Sequence, residues 1–84
     1  MAEVVLYGTR YCPYCTAARE LLADKGVEFT DIDVTGQPEE RRKLVDLSGG
    51  RTTVPQIFID GRAIGGYDEL SALDRKGELD ALLG

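Results

Sequence analysis

The stretch CPYC at residues 12–15 decides the fold, because it stands where an apolar strand pattern changes to a helical one. Before it, VVLY at residues 4–7 is a run of strand-forming side chains, and residues 8–11 form a loop. After it, apolar residues recur at helical spacing until Lys25-Gly26, a typical helix end. Because proline is favoured at the first position of a helix, we predict a helix that begins directly after Cys12.

The remaining chain continues the alternation of strands and helices. Residues 27–34 predict a second strand, and a second helix starts at Pro38 and ends at Gly49-Gly50. Residues 54–59 and 62–64 predict two strands joined by a tight hairpin turn at Asp60-Gly61. A final helical segment starts at Asp68 and resumes after an interruption at Gly77. The order β-α-β-α-β-β-α predicts an α/β fold with a four-stranded mixed sheet and three main helices.

Length, composition and charge exclude several classes of protein. With 84 residues, we expect one domain over residues 1–84 and no separate cofactor-binding module. Fifteen acidic against ten basic residues give a net charge of −5, so nucleic acid is not an expected partner. The longest apolar run is too short for a membrane span, and the N-terminus lacks the pattern of a secretory signal. We therefore expect a cytoplasmic protein that does not enter membranes.

The chain has two cysteines and no histidine. Without histidine, Ser-His and Cys-His nucleophile pairs are excluded, and a zinc site made by one chain lacks ligands, so no metal site is predicted. The cysteines could be core residues, half of a zinc site shared by two chains, a static disulfide or a redox-active dithiol. Their position at a strand-to-helix junction favours the dithiol. Cys15 lies three residues after Cys12 and on the same side, within reach of it.

The start of a helix stabilises a thiolate because its backbone N–H groups are unpaired. Lowering the pKa of Cys12 from about 8.5 to about 5 needs about 4.8 kcal/mol. A helix dipole supplies at most about 2 kcal/mol. We therefore predict direct N–H bonds to the sulfur from Tyr14 and Cys15, with Arg10 as a nearby cation. Residues 4–19 contain Arg10 and Arg19 and no acid, which predicts a locally basic patch for an anionic thiol.

Together with TVP at residues 53–55 and GGYD at residues 65–68, the cysteine motif resembles that of the glutaredoxins, in particular the small bacterial dithiol members. The resemblance covers essentially the whole chain. It implies a thioredoxin-like fold and glutathione-dependent reduction of protein disulfides and glutathione mixed disulfides. It also implies that Cys12 attacks, that Cys15 resolves, and that glutathione is a reducing co-substrate, with no tightly bound cofactor.

The resemblance further implies a set of glutathione-binding residues and a cis peptide bond between Val54 and Pro55. Asp68 would bind the γ-glutamyl end, although it could also be the N-cap of a helix. Glutaredoxins commonly carry a lysine three residues before the first cysteine; here Thr9 stands there, and we expect Arg10 to substitute. Arg51 and either Arg41 or Arg42 are further candidates for the glycyl carboxylate. The predicted glutathione-binding residues are Arg10, Tyr14, Thr53, Val54, Pro55, Gly66, Tyr67 and Asp68.

Two rival functions remain open at this point. One is a redoxin reduced by thioredoxin reductase. The other is a dimer that holds an iron–sulfur cluster through Cys12 and glutathione, which Pro13 disfavours. We expect a monomer whose partners are glutathione and disulfide-containing or glutathionylated proteins.

Overall fold

The structure, a computed structural model, describes residues 2–84 and confirms the predicted order of strands and helices up to the last segment. That last segment forms two helices rather than one. In chain order the elements are β1 (Val4–Gly8), α1 (Pro13–Asp24), β2 (Thr30–Asp33), α2 (Pro38–Leu47), β3 (Gln56–Ile59), β4 (Arg62–Gly65), α3 (Tyr67–Arg75) and α4 (Leu79–Leu83).

The strands form one mixed sheet in the order β2-β1-β3-β4. β1 runs parallel to β2 and antiparallel to β3, and β3 runs antiparallel to β4. The predicted four-stranded mixed sheet is confirmed. Since β1 lies in the middle, the loop that follows it leaves the sheet between β2 and β3, and this position brings CPYC near residues 54 and 55.

The hydrophobic core lies between the central strands and the helices α1, α3 and α4. All four residues of β3 are buried, whereas β1 alternates between buried and half-buried positions. Leu22 of α1 and Leu70 of α3 are fully buried against Leu6 and Ile57 of the sheet. The helix α1, whose first turn carries the cysteines, is therefore held in place by packing against the sheet and α3.

Two predicted strand boundaries were wrong. β2 begins at Thr30 rather than residue 27, because its pairing with β1 begins only at Val5. β3 begins at Gln56 rather than residue 54, since Pro55 has no N–H to donate to a neighbouring strand. The predicted interruption at Gly77 is confirmed: α3 ends at Arg75, and Gly77 adopts a φ of 75°.

The hairpin turn between β3 and β4 is confirmed. Asp60 and Gly61 have φ angles of 51° and 79°, the left-handed conformation that a two-residue turn of this type requires. Over residues 2–84, no helix is both long enough and apolar enough to cross a membrane.

Candidate active site

Cys12 is the N-cap of α1, as predicted. The Cys12 backbone is extended, and Pro13 occupies the first turn of the helix. The Cys12 carbonyl accepts the N–H of Thr16 at 3.1 Å. The Cys12 side chain is half-buried, whereas Cys15 is fully buried one turn along the helix. Both are free thiols. An accessible sulfur therefore lies in front of a second sulfur that solvent does not reach.

The pKa of Cys12 lies below the ordinary value of a thiol. Burial of the side chain raises this pKa, but several contacts outweigh burial. The backbone of Cys15, the Cys15 thiol and the backbone of Tyr14 lower it, and the charge of Arg19 adds to their effect. The direction of the two backbone contributions agrees with the predicted N–H donors. The cation that lowers this pKa is Arg19 and not the predicted Arg10.

The pKa of Cys15 is shifted the other way. Burial raises it most, and the neighbouring Cys12 raises it further, while the Thr9 backbone and Arg19 lower it in part. The net result is a pKa above the ordinary thiol value. The two thiols therefore differ: the pKa of Cys12 is lowered and that of Cys15 is raised.

The Val54–Pro55 peptide bond is cis, as predicted. The Cys12 thiol donates to the Val54 carbonyl oxygen over 3.7 Å, so the cis bond lies directly opposite the nucleophile. The preceding loop is held in place by Gln56, whose Nε2 donates to the Thr53 carbonyl at 2.9 Å.

A cleft of about 370 Å³ opens beside this segment. This volume is within the range of about 300–1,000 Å³ that small-molecule sites show. Seven of the eight predicted glutathione-binding residues line it, together with Arg51 and Glu69. The seven are Tyr14, Thr53, Val54, Pro55, Gly66, Tyr67 and Asp68. The rings of Tyr14 and Tyr67 have centroids 6.4 Å apart and border the cleft.

A larger depression of about 660 Å³ lies elsewhere, between the end of α1, the start of β2 and the C-terminal residues. It contains neither cysteine nor any of the predicted site residues. The smaller cleft, by contrast, adjoins the Cys12 thiol through Val54, one of its lining residues.

Arg10 is the one predicted site residue outside the cleft. Its side chain is 74% exposed, and its Nε donates to Asp33 Oδ2 at 2.8 Å. Arg19 forms a matching pair with Asp31 at 2.8 Å. The predicted basic patch was therefore wrong, since both arginines are compensated by carboxylates of β2 that lie outside residues 4–19.

The chain is similar to known proteins of one family. The family model described as Glutaredoxin matches residues 4–64. Over 83 residues the chain is 51% identical to Glutaredoxin 3 of Escherichia coli strain K12, and the match covers 99% of each chain.

The chain belongs to the glutaredoxin family.

Two further glutaredoxins show how far the family likeness extends. The chain is 52% identical over 83 residues to the glutaredoxin of Pseudomonas aeruginosa, covering 99% of this chain and 98% of that one. The solution structure of the glutaredoxin from Brucella melitensis is similar with a TM-score of 0.87 and 48% identity, over 99% of this chain and 89% of that one. The thioredoxin-like fold and the family's glutathione-dependent thiol oxidoreductase function are thereby confirmed.

The N-terminus of α3 differs from the prediction for Asp68. The N-cap is Gly66, and Asp68 is the second residue of the helix, with an exposed side chain. The Gly66 N–H is capped instead by Glu69, whose Oε1 accepts it at 2.7 Å. The carboxylate of Asp68 is therefore not used as the helix cap.

Sequence reasoning missed Glu69 and left Arg51 unassigned. Glu69 Oε1 also accepts Arg51 Nη1 at 2.6 Å, so one oxygen holds both the start of α3 and a guanidinium of the cleft. The bond from the Gly66 N–H, followed by the bond from Arg51, holds the pKa of Glu69 below its usual range. A glutamate three residues after a helix N-cap is a known capping signal, and this spacing could have identified Glu69.

Proposed function

We propose that the protein is a glutathione-disulfide oxidoreductase that reduces protein disulfides and glutathione mixed disulfides through Cys12 and Cys15. The observation that carries this proposal is the low-pKa thiol of Cys12 opposite the Val54 carbonyl, at the edge of a cleft that Asp68 and Arg51 also line. A nucleophilic sulfur, an accessible backbone edge and two opposite charges suit a small charged peptide thiol.

Glutathione has an ammonium and a carboxylate at its γ-glutamyl end and a second carboxylate at its glycyl end. In the proposed complex its cysteine pairs with the Val54 backbone in the manner of an added strand. Asp68 takes the ammonium, and the Arg51 guanidinium takes a carboxylate. The choice of glutathione as the ligand is supported by a buckwheat glutaredoxin solved as a complex with glutathione, which has 28% identity and a TM-score of 0.90 over 98% of this chain and 76% of that one. Arg10 remains a predicted contact.

The reaction consists of thiol–disulfide exchanges. With a glutathionylated substrate, the Cys12 thiolate attacks the glutathione sulfur, the protein thiol leaves, and a Cys12–glutathione disulfide forms. A second glutathione thiolate then attacks that disulfide, which releases glutathione disulfide and the Cys12 thiolate. The low pKa of Cys12 favours this release, because a thiol of lower pKa is the better leaving group.

A protein disulfide uses both cysteines. Cys12 attacks one sulfur of the substrate, and the Cys15 thiolate then attacks the Cys12 sulfur. The reduced substrate leaves, and two glutathione molecules reduce the Cys12–Cys15 disulfide. Glutathione is thus a co-substrate and not a bound cofactor. We place this activity in one domain of a cytoplasmic monomer, where the redox poise keeps thiols reduced.

The test is reduction of the mixed disulfide of glutathione and cysteamine, coupled to glutathione reductase and NADPH. Cys12→Ser is expected to abolish turnover. Cys15→Ser is expected to retain it, because that reaction needs only Cys12, and to lose most reduction of a protein disulfide. Unchanged protein-disulfide turnover in Cys15→Ser would contradict the role of Cys15. If the wild type were inactive with glutathione but active with thioredoxin reductase, the rival redoxin reading would replace this one.

A further inference from the structure

Arg19 connects three parts of the structure. It lies on α1, and its side chain is 24% exposed. Its Nε donates to Asp31 Oδ2 of β2 at 2.8 Å, and its two terminal nitrogens donate to the Thr9 carbonyl at 3.4 and 3.5 Å. The guanidinium is therefore held on both sides, by an edge strand and by the loop that precedes the cysteines.

The guanidinium of Arg19 and the sulfur of Cys15 share one gap beside Gly8. A Cβ added to Gly8 would lie 2.9 Å from Cys15 Sγ and 3.1 Å from Arg19 Nη2. Both atoms therefore lie about 3 Å from one point, and the strand leaves this space because its residue there is a glycine. Gly8 is buried, so the gap has little access to water that could screen the charge.

The other charged and titratable groups around the cysteines are directed elsewhere. Arg10 is bound to Asp33, which also accepts the Thr35 N–H. Across the cleft, Arg51 is bound to Glu69. The further titratable groups on this side of the molecule are the phenols of Tyr14 and Tyr67 and the carboxylate of Asp68, all of which line the cleft. Arg19 is the cation that lowers the pKa of both thiols.

We propose that Arg19 is a positioning residue of the resolving step, in which its guanidinium, held by Asp31 and the Thr9 carbonyl, stabilises the buried Cys15 thiolate as that thiolate attacks. The inference rests on the proposed two-cysteine reaction. In this step the Cys15 sulfur attacks the Cys12 sulfur, the bond from Cys12 to the substrate breaks, and the Cys12–Cys15 bond forms. The substrate sulfur leaves with the electron pair and takes a proton from water.

The expected size of the effect follows from the distance between the charges. An opposite charge within about 4–6 Å lowers a thiol pKa by about 1–3 units. Because the Asp31 carboxylate offsets part of this field, we expect Arg19→Gln to raise the titration midpoint of Cys15 by about one pH unit. At neutral pH the thiolate population then falls about tenfold, while its nucleophilicity rises about threefold. The resolving step should therefore slow by about threefold.

The first measurement is an NMR pH titration of the reduced protein with ¹³C-labelled cysteine Cβ carbons. It compares the wild type with Arg19→Gln, Arg19→Lys and the exposed control Arg62→Gln. The second measurement is the pH profile of mixed-disulfide resolution in a single turnover. We expect the midpoint of Cys15 to rise in Arg19→Gln, and the midpoint of the pH profile to rise with it. In Arg19→Lys the Cys15 midpoint should stay close to the wild-type value, and Arg62→Gln should match the wild type.

Three outcomes would overturn the proposal: an unchanged Cys15 midpoint in Arg19→Gln, an equal rise in Arg19→Lys, or an equal rise in Arg62→Gln. If Arg19→Gln does not fold, Asp31→Asn provides the test. It removes the negative partner while the Thr9 carbonyl still holds the guanidinium, so we expect a lower Cys15 midpoint, and a rise would refute the electrostatic role. The titration needs no glutathione. A failure of this inference is therefore distinguishable from a failure of the proposed function, which would appear as an inactive wild type.

Discussion

The clearest test of the cleft's architecture is Glu69→Gln, because a single oxygen of Glu69 makes two contacts. The first contact caps α3 at the Gly66 N–H, and losing such a cap typically costs about 1 kcal/mol. The second contact is the ion pair with Arg51. The Arg51 side chain is 46% exposed and the Glu69 side chain 39%, so solvent screening limits the ion pair to at most about 1 kcal/mol.

Glutamine keeps an acceptor oxygen, so Glu69→Gln should weaken the cap bond rather than remove it. We expect the free energy of unfolding to fall by about 1 kcal/mol at neutral pH. For a domain of this size that is a fall in Tm of about 4–8 °C. The same variant loosens Arg51, so the KM for glutathione should rise while kcat changes little.

The pH dependence of the free energy of unfolding shows whether the ionised carboxylate of Glu69 causes the stability loss in Glu69→Gln. The pKa of Glu69 is lower in the folded state than in the unfolded state, where it is about 4.3. Its contribution is therefore fully present above that value and is lost as the pH falls through the folded pKa. The stability difference between the two proteins should be largest at pH 7 and smaller at about pH 3.

The assay is urea denaturation at both pH values, with Glu40→Gln as the matched control. Glu40 also pairs with a cation, Lys43 at 3.3 Å, but it is exposed and caps no helix. We expect no measurable loss in that control. A stability difference for Glu69→Gln that is equally large at about pH 3 would refute the reasoning, and so would an equal loss in Glu40→Gln.

Two further predictions concern the cleft and the gap beside Cys15. Asp68→Asn should raise the KM for glutathione about tenfold, which corresponds to a loss of about 1.4 kcal/mol of binding free energy. In the coupled assay we expect little change in kcat, and an unchanged KM would show that Asp68 does not bind glutathione. Gly8→Ala should lower the free energy of unfolding by about 1–3 kcal/mol, because its Cβ would lie 2.9 Å from Cys15 Sγ. Urea denaturation measures this loss, and a variant as stable as the wild type would show that the gap has room for a methyl group.

The features that could be predicted from the sequence are those with local causes. Cys12 as an N-cap follows from Pro13 and the apolar spacing after it, and the hairpin follows from Asp60-Gly61. The beginning of β2 could not be predicted in this way. Val27 and Phe29 have the side chains of a strand and pack against the core, but pairing starts only at Thr30. The length of an edge strand is thus set by its neighbour in the sheet, which local sequence does not specify.

The same distinction explains the errors in the site. Arg10 adjoins the motif in sequence and was expected beside the sulfur, yet its side chain turns to Asp33. Arg19 is four residues after Cys15, which places it on the same helix face as that cysteine, and this spacing could have favoured it. The contact between Arg51 and Glu69 joins residues 18 apart in sequence and depends on the tertiary fold.

An edge strand that contains neither cysteine neutralises the two arginines nearest the cysteines in sequence. Asp31 and Asp33 are alternate residues of β2 and so share one face of that strand. Each binds one of the two arginines nearest the cysteines in sequence, and each carboxylate cancels much of the field that its arginine would project. The positive charge of residues 4–19 is consequently neutralised by β2 in the folded protein. What stabilises the Cys12 thiolate is then mainly short-range: two backbone N–H groups and the neighbouring thiol, with Arg19 as the one cation that acts on both sulfurs.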